Sequence, residues 1–224
     1  MPVSISETDI ENYAKDGALL IKNLFTPDEV SDLREGIDAN ISHPSSRAKV
    51  ASNESDPGWF FEDFCNWQEN SAFQRIIFES DISEVAAKLM CSEQVRLFHD
   101  HMLVKKTGTK QRTPWHQDQP YYNIEGMQNI SFWIPVDPVP LEWTLEFIAG
   151  SHQENWYLPR TFLKKRQSGF RKEAFRILQI SKKIRKNIVF SAGSLSRETL
   201  WPFTCLHCMP ERDQVRCAAF FQYA

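Results

Sequence analysis

The spacing of apolar residues changes near Val95, and this change restricts the folds that the chain can adopt. Before Val95, apolar residues recur at the spacing of helical faces. After it, short runs rich in β-branched and aromatic residues alternate with turn residues, a pattern typical of strands. These runs predict strands at 95–105, 115–118, 129–136, 144–148, 187–191 and 215–222. Helices followed by many strands predict a helical layer packed on a β-sandwich or barrel.

The first part of the chain contains clear helix boundaries. The segment 7–15 predicts a short amphipathic helix ended by Asp-Gly, and 18–21 predicts an apolar strand. The sequence Thr-Pro-Asp-Glu at 26–29 is a capping box with proline in the first turn, so a second helix should begin there. That helix places three apolar residues on one face: Val30, Leu33 and Ile37. The other predicted segments are a polar loop at 41–58 and helices near 69–78 and 81–90.

The size and composition of the chain limit the class of protein to which it can belong. It has 224 residues, 42% of them hydrophobic, so we expect a single domain over 1–224. This domain would have a helical part at about 1–92 and a β-rich core at about 93–223. A formal net charge of −3 argues against nucleic-acid binding by bulk electrostatics. The sequence shows neither a membrane-spanning apolar run nor a secretory signal, and its five cysteines predict no disulfide framework, so we expect a cytoplasmic protein.

One segment has a strongly uneven charge. Between Arg160 and Lys186 there are eleven lysines and arginines against one acid, Glu173. Such a stretch can attract an anionic ligand, although a charge run is more often a solvated face. An anionic small-molecule substrate and a plain solvated surface therefore both remain open.

The strongest local signal for chemistry is the sequence Trp-His-Gln-Asp-Gln-Pro at 115–120. On a strand, the side chains of residues i and i+2 point to the same side, so His116 and Asp118 would converge on one point. An imidazole and a carboxylate placed in this way supply two metal ligands. The H-x-D pattern alone is weak, and a satisfied histidine beside a turn acid explains it equally well.

A metal site needs a third ligand from elsewhere in the chain. The available histidines are His43, His99, His101, His152 and His207. His152 follows Gly-Ser and is explained more simply as a hydrogen-bonded turn residue, whereas His207 lies shortly before the last predicted strand. That strand contains Arg216, a fixed cation that can bind a carboxylate through two hydrogen bonds. Two histidines and one carboxylate form the facial triad of non-haem Fe(II) oxygenases, which leaves positions for a 2-oxo acid and O₂.

Residues 102–152 resemble the centre of the phytanoyl-CoA dioxygenase family. The resemblance is in Met-Leu-Val, the Trp-His-Gln-Asp-Gln-Pro-Tyr core, the Phe-Trp-Ile-Pro-Val strand and the closing Gly-Ser-His. Residues 16–34 also look like the N-terminal signature of that family, and the likeness spans roughly 15–222. The resemblance implies a double-stranded β-helix, a form of jelly roll. It also implies Fe(II) chemistry with 2-oxoglutarate as co-substrate, O₂ as oxidant and ascorbate as a supportive reductant.

The resemblance also implies roles for individual residues. His116, Asp118 and His207 match the iron ligands, and Arg216 matches the residue that binds the distal carboxylate of 2-oxoglutarate. Three further residues match positions that line the co-substrate, although barrel core explains them too: Met102, Gln117 and Trp133. The implied reaction is hydroxylation of a C–H bond in a small molecule, with release of succinate and CO₂. The sequence does not identify that molecule.

One segment departs from the family pattern just before the distal histidine. The segment 194–206 is longer and more polar than the corresponding strand of the family, and its Pro202 cannot donate a hydrogen bond in a central ladder. Two alternatives to an active oxygenase remain open, and only the first depends on this segment. In the first, His207 is displaced and the protein is a catalytically impaired ligand-binding or scaffolding module. In the second, the same triad holds zinc in a hydrolase.

Overall fold

The structure of the protein is a computed structural model that describes residues 3–52, 54–106, 108–109, 117–119, 122–138, 146–153, 187–189 and 215–223. For 146, 148, 187–189 and 215–223 it describes the backbone alone. The described helices are α1 (Glu7–Asp16), α2 (Pro27–Ser42), α3 (Ser71–Glu79) and α4 (Ile82–Leu89). None of these helices is both long enough and apolar enough to cross a lipid bilayer. The described strands are β1 (Lys49–Val50), β2 (Phe60–Phe64), β3 (Leu97–Lys105), β4 (Ile130–Pro135), β5 (Glu146–Ile148), β6 (Asn187–Val189) and β7 (Val215–Tyr223).

The first two helices begin at capping boxes. Ser6 and Asp9 exchange hydrogen bonds at the start of α1, and Thr26 and Glu29 do so at the start of α2. In each pair the hydroxyl accepts from the backbone N–H three residues on, and the acidic side chain accepts from the backbone N–H of the capping residue. The four predicted helices are confirmed.

The segment 18–21, which the sequence predicts as a strand, pairs with no strand among the described residues. This prediction is wrong. Its apolar side chains are buried nonetheless, because Ala18 and Ile21 are 7% and 6% exposed. Ile21 belongs to the hydrophobic core cluster, so the apolar run reflects core packing between α1 and α2 rather than sheet pairing.

Five strands form one antiparallel sheet in the order β1-β2-β3-β7-β4. β7 comes last in the sequence but lies between β3 and β4 and pairs with both. β5 and β6 form a second, two-stranded antiparallel sheet. Five predicted strands are confirmed by β3 to β7. β1 lies in the predicted loop 41–58, and β2 is absent from the sequence prediction.

β2 contains two acidic residues, which conceal it in the sequence pattern. One of them, Asp63, is fully buried. It accepts hydrogen bonds from Asn40 Nδ2 (2.9 Å), the Ser45 backbone N–H (2.8 Å) and Ser45 Oγ (2.6 Å). These bonds connect α2 and the loop after it to the sheet, and they compensate for the burial of a carboxylate. Their partners lie 18 and 23 residues away, beyond the reach of a local pattern.

One face of the five-stranded sheet packs against the helices. It belongs to a hydrophobic cluster that also contains Leu33 and Ile37 of α2. The strand residues of this cluster are Phe61, Met102, Val104, Ile130, Phe132 and Ile134. This face therefore forms the main core.

The opposite face of the sheet carries a different set of side chains. Side chains alternate along a strand, so the residues between the core residues of β3 and β4 lie on this second face. The register of β7 aligns them in two rows: His101 with Trp133, both opposite Phe220, and His99 with Ser131, both opposite Gln222. We call the side of the sheet that carries His99, His101, Ser131 and Trp133 the far face.

Candidate active site

Asp118 lies beside the far face, where β4 holds its carboxylate. The Ser131 hydroxyl donates a hydrogen bond to Asp118 Oδ2 over 3.2 Å. The Tyr122 phenol lies nearby, and Asp118 contributes to the raised pKa of this group. The carboxylate therefore has a defined orientation, as carboxylates that bind metal ions usually have.

The segment around Asp118 is not a strand at its described end. Gln117 and Asp118 belong to no strand, so the predicted strand 115–118 is wrong in its second half. Its first half, which contains His116, lies outside the described residues. The Gln117 side chain donates a hydrogen bond to the carbonyl of Ser151 over 3.1 Å, and nearby Pro120 cannot donate the ladder bond that a longer strand needs.

The turn Ser151–Gln153 accepts a hydrogen bond from Gln117, the neighbour of Asp118. The same turn is hydrogen-bonded to the C-terminal end of α1. The Gly150 N–H donates to the carbonyl of Asp16 over 2.9 Å. His152 Nε2 lies 3.0 Å from the carbonyl oxygen of Ala14. The prediction that His152 is a hydrogen-bonded turn residue is confirmed. These bonds connect α1 to the segment that contains the candidate carboxylate ligand.

Two tyrosines experience the negative charge of Asp118. Burial, followed by this charge, raises the pKa of Tyr13 to about 12. The same two causes raise the pKa of Tyr122. Both phenols are therefore protonated at neutral pH and can donate hydrogen bonds. Tyr13 belongs to α1, far from Asp118 in the sequence, so no local pattern predicts its presence.

His99 and His101 lie on the far face of β3. Burial, followed by the neighbouring His101, lowers the pKa of His99 to about 4, so its imidazole is neutral at pH 7. Its Nδ1 atom is buried without a hydrogen-bond partner among the described residues. His101 stacks on Phe64 with ring centroids 3.9 Å apart, and its Nε2 lies 3.5 Å from Glu62 Oε2. No three histidine, cysteine or acidic side chains within the described ranges form a group that could hold a metal ion.

The residues expected to line the co-substrate occupy different places. Trp133 is buried on the far face, two residues along β4 from Ser131. Met102 is fully buried in the core cluster on the helix-facing side, a position that favours the core interpretation of this residue. Gln117 contacts the turn at Ser151. Only Trp133 and Gln117 of this set therefore lie on the Asp118 side of the sheet.

Several expected site residues fall outside the described side chains. The backbone of Arg216 lies in β7 opposite Val104, and its side chain is not described. His116, His207 and the segments 160–186 and 194–206 lie wholly outside the described residues. The described part of the site supplies one oriented carboxylate, which fits the carboxylate position of a facial iron triad.

The chain matches known proteins at the level of family and fold. The sequence model of the phytanoyl-CoA dioxygenase family matches residues 13–187, and no curated protein matches significantly. The non-heme alpha ketoglutarate dependent carbocyclase SnoK from nogalamycin biosynthesis has a TM-score of 0.76 at 17% identity, over 100% of this chain and 86% of SnoK. EctD from S. alaskensis, solved with 2-oxoglutarate and 5-hydroxyectoine, has a TM-score of 0.73 at 17% identity, over 98% and 76%. The epimerase SnoN, solved with Fe³⁺, alpha ketoglutarate and nogalamycin RO, has a TM-score of 0.66 at 17% identity, over 97% and 82%.

The structural identities are low, so these neighbours establish the fold and not the activity. The family match, by contrast, covers most of the chain and contains His116, Asp118 and Trp133. It ends at residue 187, before the segment 194–206, His207 and Arg216, so it does not cover the last part of the likeness predicted over 15–222. The resemblance read from the motifs is confirmed: the chain belongs to the phytanoyl-CoA dioxygenase family.

Proposed function

We propose that this protein is an Fe(II)- and 2-oxoglutarate-dependent oxygenase that hydroxylates a C–H bond of a small molecule. The observation that carries the proposal is Asp118, which lies within the matched family region and whose carboxylate is held by Ser131. The family and the iron and 2-oxoglutarate named for the structural neighbours agree with this assignment.

In this proposal His116, Asp118 and His207 would hold the iron, and Arg216 would bind the distal carboxylate of 2-oxoglutarate. When bound, iron and 2-oxoglutarate supply the oxidising chemistry, with consumption of O₂ and release of succinate and CO₂. The residues of the chain would position these groups and shield them from water. Trp133, 4% exposed, would keep water away from the far face.

We also propose that the whole chain, 1–224, is one domain with a double-stranded β-helix fold. The five-stranded sheet and the β5–β6 pair would be its two sheets. The similarity to the solved structures over 97–100% of the chain supports this assignment.

The substrate is proposed as a small molecule, and the basic segment 160–186 favours an anionic one. The names of the neighbours include a carbocyclase and an epimerase, so sites of this fold direct the same oxidising chemistry to different products. Hydroxylation would be shown by a product that contains one added oxygen atom from O₂ for each succinate released.

Anaerobic titration with Fe(II) tests the metal site. The parent should bind one equivalent per chain, and Asp118→Ala should lose tight binding while its fold is retained, because a ligand carboxylate is removed. Asp137→Ala is a matched control, since this carboxylate pairs with Arg34 and should leave binding unchanged. The assignment is wrong if Asp118→Ala binds iron as tightly as the parent.

The alternative of an impaired, ligand-binding family member is favoured by one observation, the end of the family match at residue 187. Substrate-free decarboxylation of 2-oxoglutarate by iron-saturated protein separates the two functions. An active enzyme should exceed its His207→Ala variant in this reaction, whereas an impaired member should not.

A further inference from the structure

One residue outside the H-x-D motif donates a hydrogen bond to its carboxylate, and a half-buried tyrosine lies beside it. We propose that Ser131 and Tyr122 are positioning residues that hold the Asp118 carboxylate and set the affinity of the site for a divalent metal ion. This inference rests on the proposed function, because it takes Asp118 as a metal ligand. It goes beyond that function by assigning the affinity to residues that the motif does not contain.

The position of Ser131 is fixed by the sheet. Its backbone is in β4, opposite Gln222 of β7, so the direction of its side chain toward the far face follows from the ladder. Its Oγ lies 3.2 Å from Asp118 Oδ2. A hydrogen bond to one carboxylate oxygen restricts rotation of the group, which favours coordination of a metal ion through the other oxygen.

The packing of the Tyr122 ring fixes the position of this residue. The ring lies against Phe98 and His99, with centroid distances of 5.4 Å and 6.0 Å. Its phenol lies close enough to Asp118 for the charge of that carboxylate to contribute to the raised pKa of Tyr122. Ser131 and Tyr122 thus come from two different segments, one a strand and one a loop, and meet at the same carboxylate.

The size of the expected effect follows from other metal sites. Removing a hydrogen-bond partner of a metal ligand typically lowers metal affinity by about 10–100-fold. The cause is that the ligand must then be oriented when the metal binds, rather than beforehand.

The chain offers a matched control on the other side of the sheet. Ser45 Oγ donates to Asp63 Oδ1 over 2.6 Å, so it forms the same kind of serine–carboxylate bond within a structural network. Ser45→Ala removes that bond without touching the far face. It should lower the free energy of unfolding and leave metal affinity unchanged.

The experiment titrates metal-free full-length protein with Co(II) and records the visible d–d spectrum. Ser131→Ala should weaken Co(II) binding by about 10–100-fold and alter the spectrum, while Ser131→Thr, which keeps the hydroxyl, should restore both. The inference is overturned if Ser131→Ala keeps the parent affinity and spectrum. It is also overturned if Ser45→Ala weakens binding equally, because the effect would then be general destabilisation.

Tyr122→Phe gives a second measurement that does not depend on Ser131→Ala folding. It removes the hydroxyl and keeps the ring packing, so weaker Co(II) binding supports the inference and unchanged binding contradicts the role of Tyr122. A parent protein that binds no Co(II) would refute the proposed metal site itself. A parent that binds Co(II), with both variants unaffected, would refute this inference alone.

Discussion

His99 has a protonation state that is set by its surroundings. Burial and His101 oppose its protonated form, and they outweigh the opposite effect of Asp118, so the pKa falls from the ordinary 6.5 to about 4. Glu62 lies beside His101 and Tyr122 beside His99. The far face thus presents a neutral imidazole next to the candidate ligand carboxylate.

This shift predicts a pH-dependent stability of the metal-free protein. Between about pH 6.5 and pH 4 the unfolded chain binds a proton at His99 that the folded chain does not. The contribution of His99 is therefore fully present above pH 6.5 and is lost as the pH falls toward 4. Urea unfolding at pH 7, 6 and 5 should show a smaller loss of stability for His99→Asn than for the parent. Equal losses would contradict the shifted pKa.

Arg216 is the residue on which co-substrate binding depends in the proposed function. Arg216→Ala should weaken 2-oxoglutarate binding by about 1.5–3 kcal/mol, the scale of a hydrogen bond to a charged group. Lysine should restore only part of this, because it lacks the planar fork of arginine. Calorimetry on the Mn(II)-loaded protein measures the effect, with the exposed Arg96→Ala as control. Unchanged affinity in Arg216→Ala would remove this role.

At the scale of single residues, the sequence predicts a candidate ligand, Asp118, but not the residues that surround it in the structure. Asp118 is identified by a histidine two positions away. Ser131 contacts it only in the folded chain, from a position 13 residues further along the sequence, and Tyr13 comes close enough for its pKa to respond to the charge of Asp118. Such contacts depend on the order of strands in the sheet and leave no periodic signal.

Among the secondary-structure elements, helices are predicted better than the sheet. The capping boxes at Ser6 and Thr26 use partners three residues away, so the sequence contains the whole signal. β2 depends instead on Asn40 and Ser45 to neutralise the cost of burying Asp63. Read alone, its acidic residues indicate a loop.

The junction between α1 and the turn after β5 gives a prediction at this scale. Gly17 has a φ of 78°, and a Cβ added there would lie 2.2 Å from His152 Nδ1. Gly17→Ala should therefore cost about 1–2 kcal/mol for the left-handed backbone, plus the displacement of the imidazole. In a His152→Ala background the cost should be smaller, because the clash is absent.

Urea unfolding of the two single variants and the double variant measures this coupling. Residues in contact typically show coupling energies of about 0.5–3 kcal/mol. The same cost for Gly17→Ala in both backgrounds would show that His152 does not pack on this glycine.

For the whole molecule, the helical part and the sheet share one hydrophobic cluster. Its members come from both parts: Ile21, Leu33 and Ile37 from the helical part, and Met102, Val104 and Phe132 from the strands. Neither part can bury its apolar face without the other. The predicted division at about residue 92 is therefore a change of secondary structure within the core.

A single unfolding transition is the expected result. Far-ultraviolet circular dichroism and tryptophan fluorescence should give coincident urea midpoints, because both signals report loss of the same core. Midpoints that differ between the two probes would show that the helical part and the sheet unfold separately.

The position of β7 between β3 and β4 has a consequence for synthesis in the cell. Ribosomes add about 5–20 residues per second, and Val215 follows its ladder partner Lys105 by about 110 residues. For roughly 5–20 seconds, β3 has therefore been synthesised while β7 has not, and one backbone edge of β3 remains unpaired. Such an edge is a template for pairing with another chain. The yield of native protein should therefore depend on how well chaperones protect the nascent chain until its last strand emerges.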